Sequence, residues 1–123
     1  MLPNERDAAY LWDMMDAART ICEFTKGMDL DQFLRDRRTQ AAVERLTGII
    51  GEAARRISDA YKMCYPEIPW RKIISQRNVL VHEYGDINQE RMWVLVSKRI
   101  PELIELLTPL IPTTSPILED ENL

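Results

Sequence analysis

The sequence predicts an all-α protein, an up-and-down bundle of four to five helices. Three observations carry that expectation. Apolar residues recur at spacings of three and four along most of the chain, which is the helical period. No stretch gives a convincing strand. Helix start and stop signals fall between the apolar stripes rather than inside them. At 123 residues the chain is long enough to bury roughly two thirds of its unfolded surface, so one core suffices without disulfides or metal.

The first helix is expected from Asn4 to Lys26. Asn4 is a good N-cap, Asp7 places an acid in the first turn, and Lys26-Gly27 is a stop. Its inward stripe is Leu11, Met14, Met15, Ala18, Ile21 and Cys22. A short helical turn follows, with Asp29 as cap and Gln32 three residues on. The longest helix is expected from Asp36 to about Tyr65, with a stripe running from Ala42 and Val43 to Ile57 and Tyr61. Pro66 and Pro69 bracket a connector, and Pro69-Trp70 suits the opening of a further helix that ends near Tyr84-Gly85. Asn88 then caps the last helix, whose inward residues are Met92, Val96, Ile100, Leu103, Leu107 and Leu110. Pro101 lies inside that pattern and predicts a kink rather than a break. Residues 1–112 read as one helical domain and 113–123 as a flexible acidic tail.

With 46% hydrophobic and 29% charged residues, 4 Gly and 7 Pro, the composition is that of a folded soluble chain. Cys22 and Cys64 match no metal-ligand spacing and read as buried thiols in a reducing compartment. No apolar stretch reaches bilayer-spanning length, and the N-terminus lacks signal-peptide character. The expected location is the cytoplasm, with no membrane contact.

The net charge of −4 is unevenly spread. Between Arg35 and Arg77 ten basic residues face five acidic ones, a surplus of +5, which leaves −9 on the remainder. Clustered arginines could hold phosphates through bidentate contacts. They could equally form a solvated helix face laced with local ion pairs. An acidic remainder would also suit a basic protein partner.

The only histidine lies in Arg77-Asn78-Val79-Leu80-Val81-His82-Glu83-Tyr84. Histidine can take and give a proton near neutral pH, and an arginine can stabilise the extra charge of a phosphoryl transition state. Such a pair suffices for RNA cleavage without metal, since RNA supplies its own 2′-hydroxyl nucleophile. No His/Asp/Glu cluster has metal-ligand spacing, so neither metal nor cofactor is expected. The plainer alternative is a histidine bonding the last carbonyls of a helix. On an ideal helix Arg77 and His82 stand about 140° apart, while Arg77 and Tyr84 nearly coincide. One isolated helix therefore does not focus the pair; a loosened helix end or a second copy across a two-fold axis could. Tyr84 is either an aromatic closing the helix end or an accessible phenol open to modification.

The segment from Arg77 to Tyr84 resembles the Arg-x4-His-x-Tyr signature of HepT-like toxins, a branch of the HEPN superfamily. Three further blocks resemble that family's pattern in the same order: Phe33 to Val43, Ile49 to Ala53, and Tyr65 to Trp70. The likeness runs from about Arg6 to Leu110. It implies a HEPN-like homodimer acting as a metal-independent endoribonuclease. It further implies a partner, a nucleotidyltransferase antitoxin of the MntA type. By position, Arg77 would bind the scissile phosphate, His82 would be the general acid/base, and Asn78 a supporting contact. Tyr84 matches the tyrosine onto which the partner transfers AMP. Gly51 is read as a close helix contact rather than chemistry. The alternative function is a non-catalytic helical module binding a protein or nucleotide; a third reading is an accessory subunit modified without cleaving anything.

Overall fold

Asn4 opens the first helix as its sequence requires. Its side-chain oxygen accepts from the Asp7 backbone N–H at 2.7 Å and starts α1, Glu5–Thr25. The computed structural model describes residues 2–80 and 85–111, with backbone alone for 77–80. Gly27, at φ +77°, takes the left-handed turn that ends the helical path. Asp29 and Gln32 then form a reciprocal capping box, each side chain bonding the other's backbone N–H at 2.8 Å, and start α2, Leu30–Arg35.

Asp36 closes α2 and opens α3, Arg37–Arg56. Its carboxylate accepts from the Thr39 N–H at 3.0 Å and from the Thr39 hydroxyl at 2.8 Å. These bonds favour the ionised form and hold the Asp36 carboxyl below the usual carboxylate range. The buried Gln40 amide turns back to the carbonyls of Phe33 and Leu34, fixing the angle between α2 and α3.

The long helix expected to reach Tyr65 stops at Arg56, and a separate α4, Asp59–Cys64, follows. The cause is Asp7. Its buried carboxylate accepts from the Ser58 N–H at 2.9 Å and from the Ser58 hydroxyl at 2.6 Å. A continuous helix would direct that N–H to the Ala54 carbonyl instead. Ser58 also N-caps α4, its hydroxyl oxygen accepting from the Tyr61 N–H.

The connector brings Trp70 in by two bonds to backbone carbonyls, Nε1 to Tyr65 and N–H to Ile68, and opens α5, Trp70–Leu80. Asn88 caps α6, Gln89–Val94, as expected. The helix then widens into a π turn, Leu95–Arg99, and resumes as α7, Ile100–Leu107, with a 3₁₀ turn at Thr108–Leu110. Pro101 explains the widening. It has no N–H for the Ser97 carbonyl, and its ring would press on that carbonyl in an α-helix. In the π turn the Ile100 N–H reaches back to Leu95 instead, so the chain bends its hydrogen-bond register without breaking.

The result is an all-α bundle, with no strand among the described residues. Helix α1 packs on α3 and α7, and α3 packs on α5. Leu11, Met14, Met15 and Ile21 of α1 meet Val43 and Ile50 of α3 and Leu107 of α7, all fully buried. Each such side chain contributes about 2 kcal/mol of apolar burial. Phe33 stacks obliquely on Trp93 at 5.3 Å, tying α2 to α6. The expectation of two buried thiols is corrected: Cys22 is half-buried and Cys64 is exposed at the end of α4, and neither forms a disulfide. Among the described residues no helix is long and apolar enough to cross a membrane.

Candidate ribonuclease site

Of the residues singled out in the sequence, Arg77 and Asn78 lie on the last turns of α5. His82 and Tyr84 lie outside the described residues, as does the tail 113–123. What positions α5 is visible. A Cβ on Gly51 of α3 would stand 3.4 Å from the Ile73 carbonyl oxygen and 3.5 Å from that of Ile74. A Cβ there would just reach van der Waals contact with the α5 backbone, so the two helices pass close at this glycine, as expected of it. In an α-helix those two carbonyls accept from the N–H groups of Arg77 and Asn78. The contact therefore seats the turn that carries the first two motif residues.

Helix α5 is described to Leu80, and Gly85 beyond it has a φ of +84°, the left-handed region that favours glycine. Each side of that interval contributes to a groove. The first, about 580 Å³, lies between α1 and α3 and is lined by Tyr10, Asp13, Arg45, Glu52, Arg56 and Ile87. Within it Glu52 bonds Arg55 at 2.8 Å and Arg56 at 2.9 Å. These bonds, Arg55 first, hold the Glu52 carboxyl below its ordinary range. On the opposite wall partial desolvation, and then neighbouring Asp16, push the Asp13 carboxyl above its ordinary range. The second groove, about 540 Å³, runs between α5 and the α6–α7 arm, with Lys72 and Gln76 on one side and Arg91 and Arg99 on the other.

The arginine-rich window does not make one patch. Arg38 and Arg56 are at opposite ends of α3, about 27 Å apart at 1.5 Å per residue. Arg55 and Arg56 are held by Glu52, which is the local-pairing alternative realised at that end. Among the described residues no group of three His, Cys, Asp or Glu side chains is placed to hold a metal ion.

A family model described as HepT-like, ribonuclease HepT-like, matches residues 14–110. The chain belongs to the HepT-like ribonuclease family. The HepT-like match begins inside α1, ends at the 3₁₀ turn, and takes in the whole Arg77–Tyr84 segment. A candidate RNase of Methanocaldococcus jannaschii is 34% identical over 98% of both chains. A probable ribonuclease HepT of Thermococcus cleftensis is 40% identical over 76% of this chain and 86% of its own. A second candidate RNase of Methanocaldococcus jannaschii is 34% identical over 81% of this chain and 93% of its own. No solved structure matches the chain.

Arg91 and Arg99 were not among the sequence candidates, because both lie outside the basic window. A signal was present. Val94 and Leu106 fall off the inward stripe of the last helix, and apolar residues on two sides of a helix imply a second face to cover.

Proposed function

We propose that this chain is the ribonuclease toxin of a toxin–antitoxin pair and cleaves RNA without a metal ion, as a homodimer. The observation that carries this reading is the family match, which spans the Arg77–Tyr84 segment, together with relatives that bear ribonuclease names. In this mechanism His82 removes the proton of the RNA 2′-hydroxyl. The oxygen attacks the adjacent phosphorus, the bond to the 5′-oxygen breaks, and the leaving oxygen takes a proton from imidazolium, leaving a 2′,3′-cyclic phosphate. Arg77 stabilises the charge that develops on the phosphoryl oxygens, and Asn78 supports the same phosphate. Because one helix does not bring positions 77 and 82 together, the second copy completes the groove across a two-fold axis.

The antitoxin of this reading is an MntA-type nucleotidyltransferase that transfers AMP from ATP to Tyr84. The phenolic oxygen bonds to the α-phosphorus and pyrophosphate leaves. The added phosphate brings negative charge beside His82 and repels the RNA backbone.

The test is cleavage of total cellular RNA in EDTA by the purified protein and by His82→Ala prepared identically. Wild type should cleave and the variant should lose about 10²- to 10⁴-fold in rate while staying folded and dimeric. Equal cleavage by both would assign the activity to a contaminant. If neither cleaves and the wild-type mass shows no AMP adduct, the chain is a helical binding module.

A further inference from the structure

The groove between α5 and the α6–α7 arm is not used by the proposed chemistry. Val94, Leu103 and Leu106 give it an aliphatic wall, and Lys72, Arg91 and Arg99 stand around it. Val94 is 46% exposed, which leaves an apolar surface in water at the groove's edge. Glu102 is the one acid among the lining residues, and it pairs with Arg99 at 3.6 Å. Among the described lining residues three basic groups thus stand against one acid, beside an aliphatic strip. Its occupant should pair apolar side chains with adjacent carboxylates.

The chain holds such a segment at hand. After Ile111 come twelve residues that include Ile117-Leu118-Glu119-Asp120-Glu121. Arg99 lies twelve residues before Ile111, about 18 Å back along the helix. The carboxylates of 119–121 are eight to ten residues beyond Ile111 and can reach up to about 30 Å when extended. Ser115-Pro116, between them, is a turn-starting pair that suits a reversal of direction. RNA has the charge for this groove but not the match, since among the described residues no aromatic side chain lines it for a base to stack on.

We propose that segment 117–121 docks in this groove of its own chain, with Ile117 and Leu118 on the aliphatic wall and its acids on Lys72 and Arg99. The test uses the full chain, treated with a carbodiimide that joins carboxylate to amine with no spacer, on an equal mixture of ¹⁴N and ¹⁵N protein. The expected product links Lys72 to Glu119, Asp120 or Glu121 within one isotope population. Its yield should exceed that at Lys26 or Lys62 by about fivefold or more, because docking raises the local concentration of the carboxylates. Replacing both Ile117 and Leu118 with serine should cut the Lys72 product to the level of the other lysines. Equal yields at all three lysines, or no effect of the serine variant, would overturn specific docking. Mixed-isotope products would assign the groove to the segment of a second copy. No Lys72 product, combined with weaker oligoribonucleotide binding by Lys72→Glu/Arg99→Glu, would assign it to RNA.

Discussion

The bundle interrupts two of its long helical paths by opposite means. Between α3 and α4 the interruption is made by a partner 51 residues away: Asp7 takes the Ser58 N–H out of the helical ladder. In the α6–α7 arm it is made on the spot, since Pro101 withdraws its own N–H and the preceding turn widens to i→i−5 bonding. The first device is a tertiary contact that holds three elements together. The second is a local adjustment that leaves the arm continuous. Asp36, between α2 and α3, is a third type, a side-chain cap whose partners all lie within its own turn.

The difference should be largest in stability. Asp7→Ala removes both acceptors from Ser58 in a buried site and should cost about 3 kcal/mol, a fall of about 10 °C in Tm. Ser58→Ala should cost about 2 kcal/mol, through the lost cap and one lost donor. The two share the hydroxyl–carboxylate bond while the Tyr61 cap belongs to Ser58 alone, so the double variant should cost about 1 kcal/mol less than the sum in urea unfolding. A double variant costing the full sum would mean that the two residues act independently, and the contrast drawn above would fail. Pro101→Ala should shift stability by less than about 1 kcal/mol, because the π turn already satisfies its hydrogen bonds. A larger loss would make the proline a structural support rather than a tolerated irregularity.

The smallest effect belongs to Asp36 and is seen only in acid. Its folded-state carboxyl is depressed, so its contribution is present above the unfolded carboxylate pKa and lost as pH falls through the lower folded value. Denaturation midpoints should therefore drop below about pH 4 in wild type. Asp36→Asn keeps an acceptor for the cap but does not titrate, so its midpoint should vary less over the same range.

The same contrast explains what the sequence revealed. The caps at Asn4, Asp29 and Asn88 and the irregularity at Pro101 were readable because cause and effect lie within a few residues of each other. The end of α3 was not, since Arg56-Ile57-Ser58-Asp59 continues a helical apolar period and the agent that stops it sits near the start of α1. Cys64 was misplaced for the same reason: once α4 became a separate element, its outer side no longer followed the long stripe. For the candidate site, Arg77 and Asn78 fall on α5 as expected, and the glycine read as a packing contact is one. The grooves beside α5 were not legible, because each joins residues from helices far apart in sequence.

Gly51 has one further consequence. A helix resting on side chains can be shifted by rotamer changes, each a soft adjustment shared among many atoms. At Gly51 there is no side chain to rearrange, and a Cβ would just meet the carbonyls of Ile73 and Ile74, so the spacing of α3 and α5 is set here by backbone alone. A branched residue there adds bulk beyond that Cβ, against the turn of α5 that leads to positions 77 and 78. The setting of the motif helix is thereby tied to a residue with no side chain and no chemistry of its own.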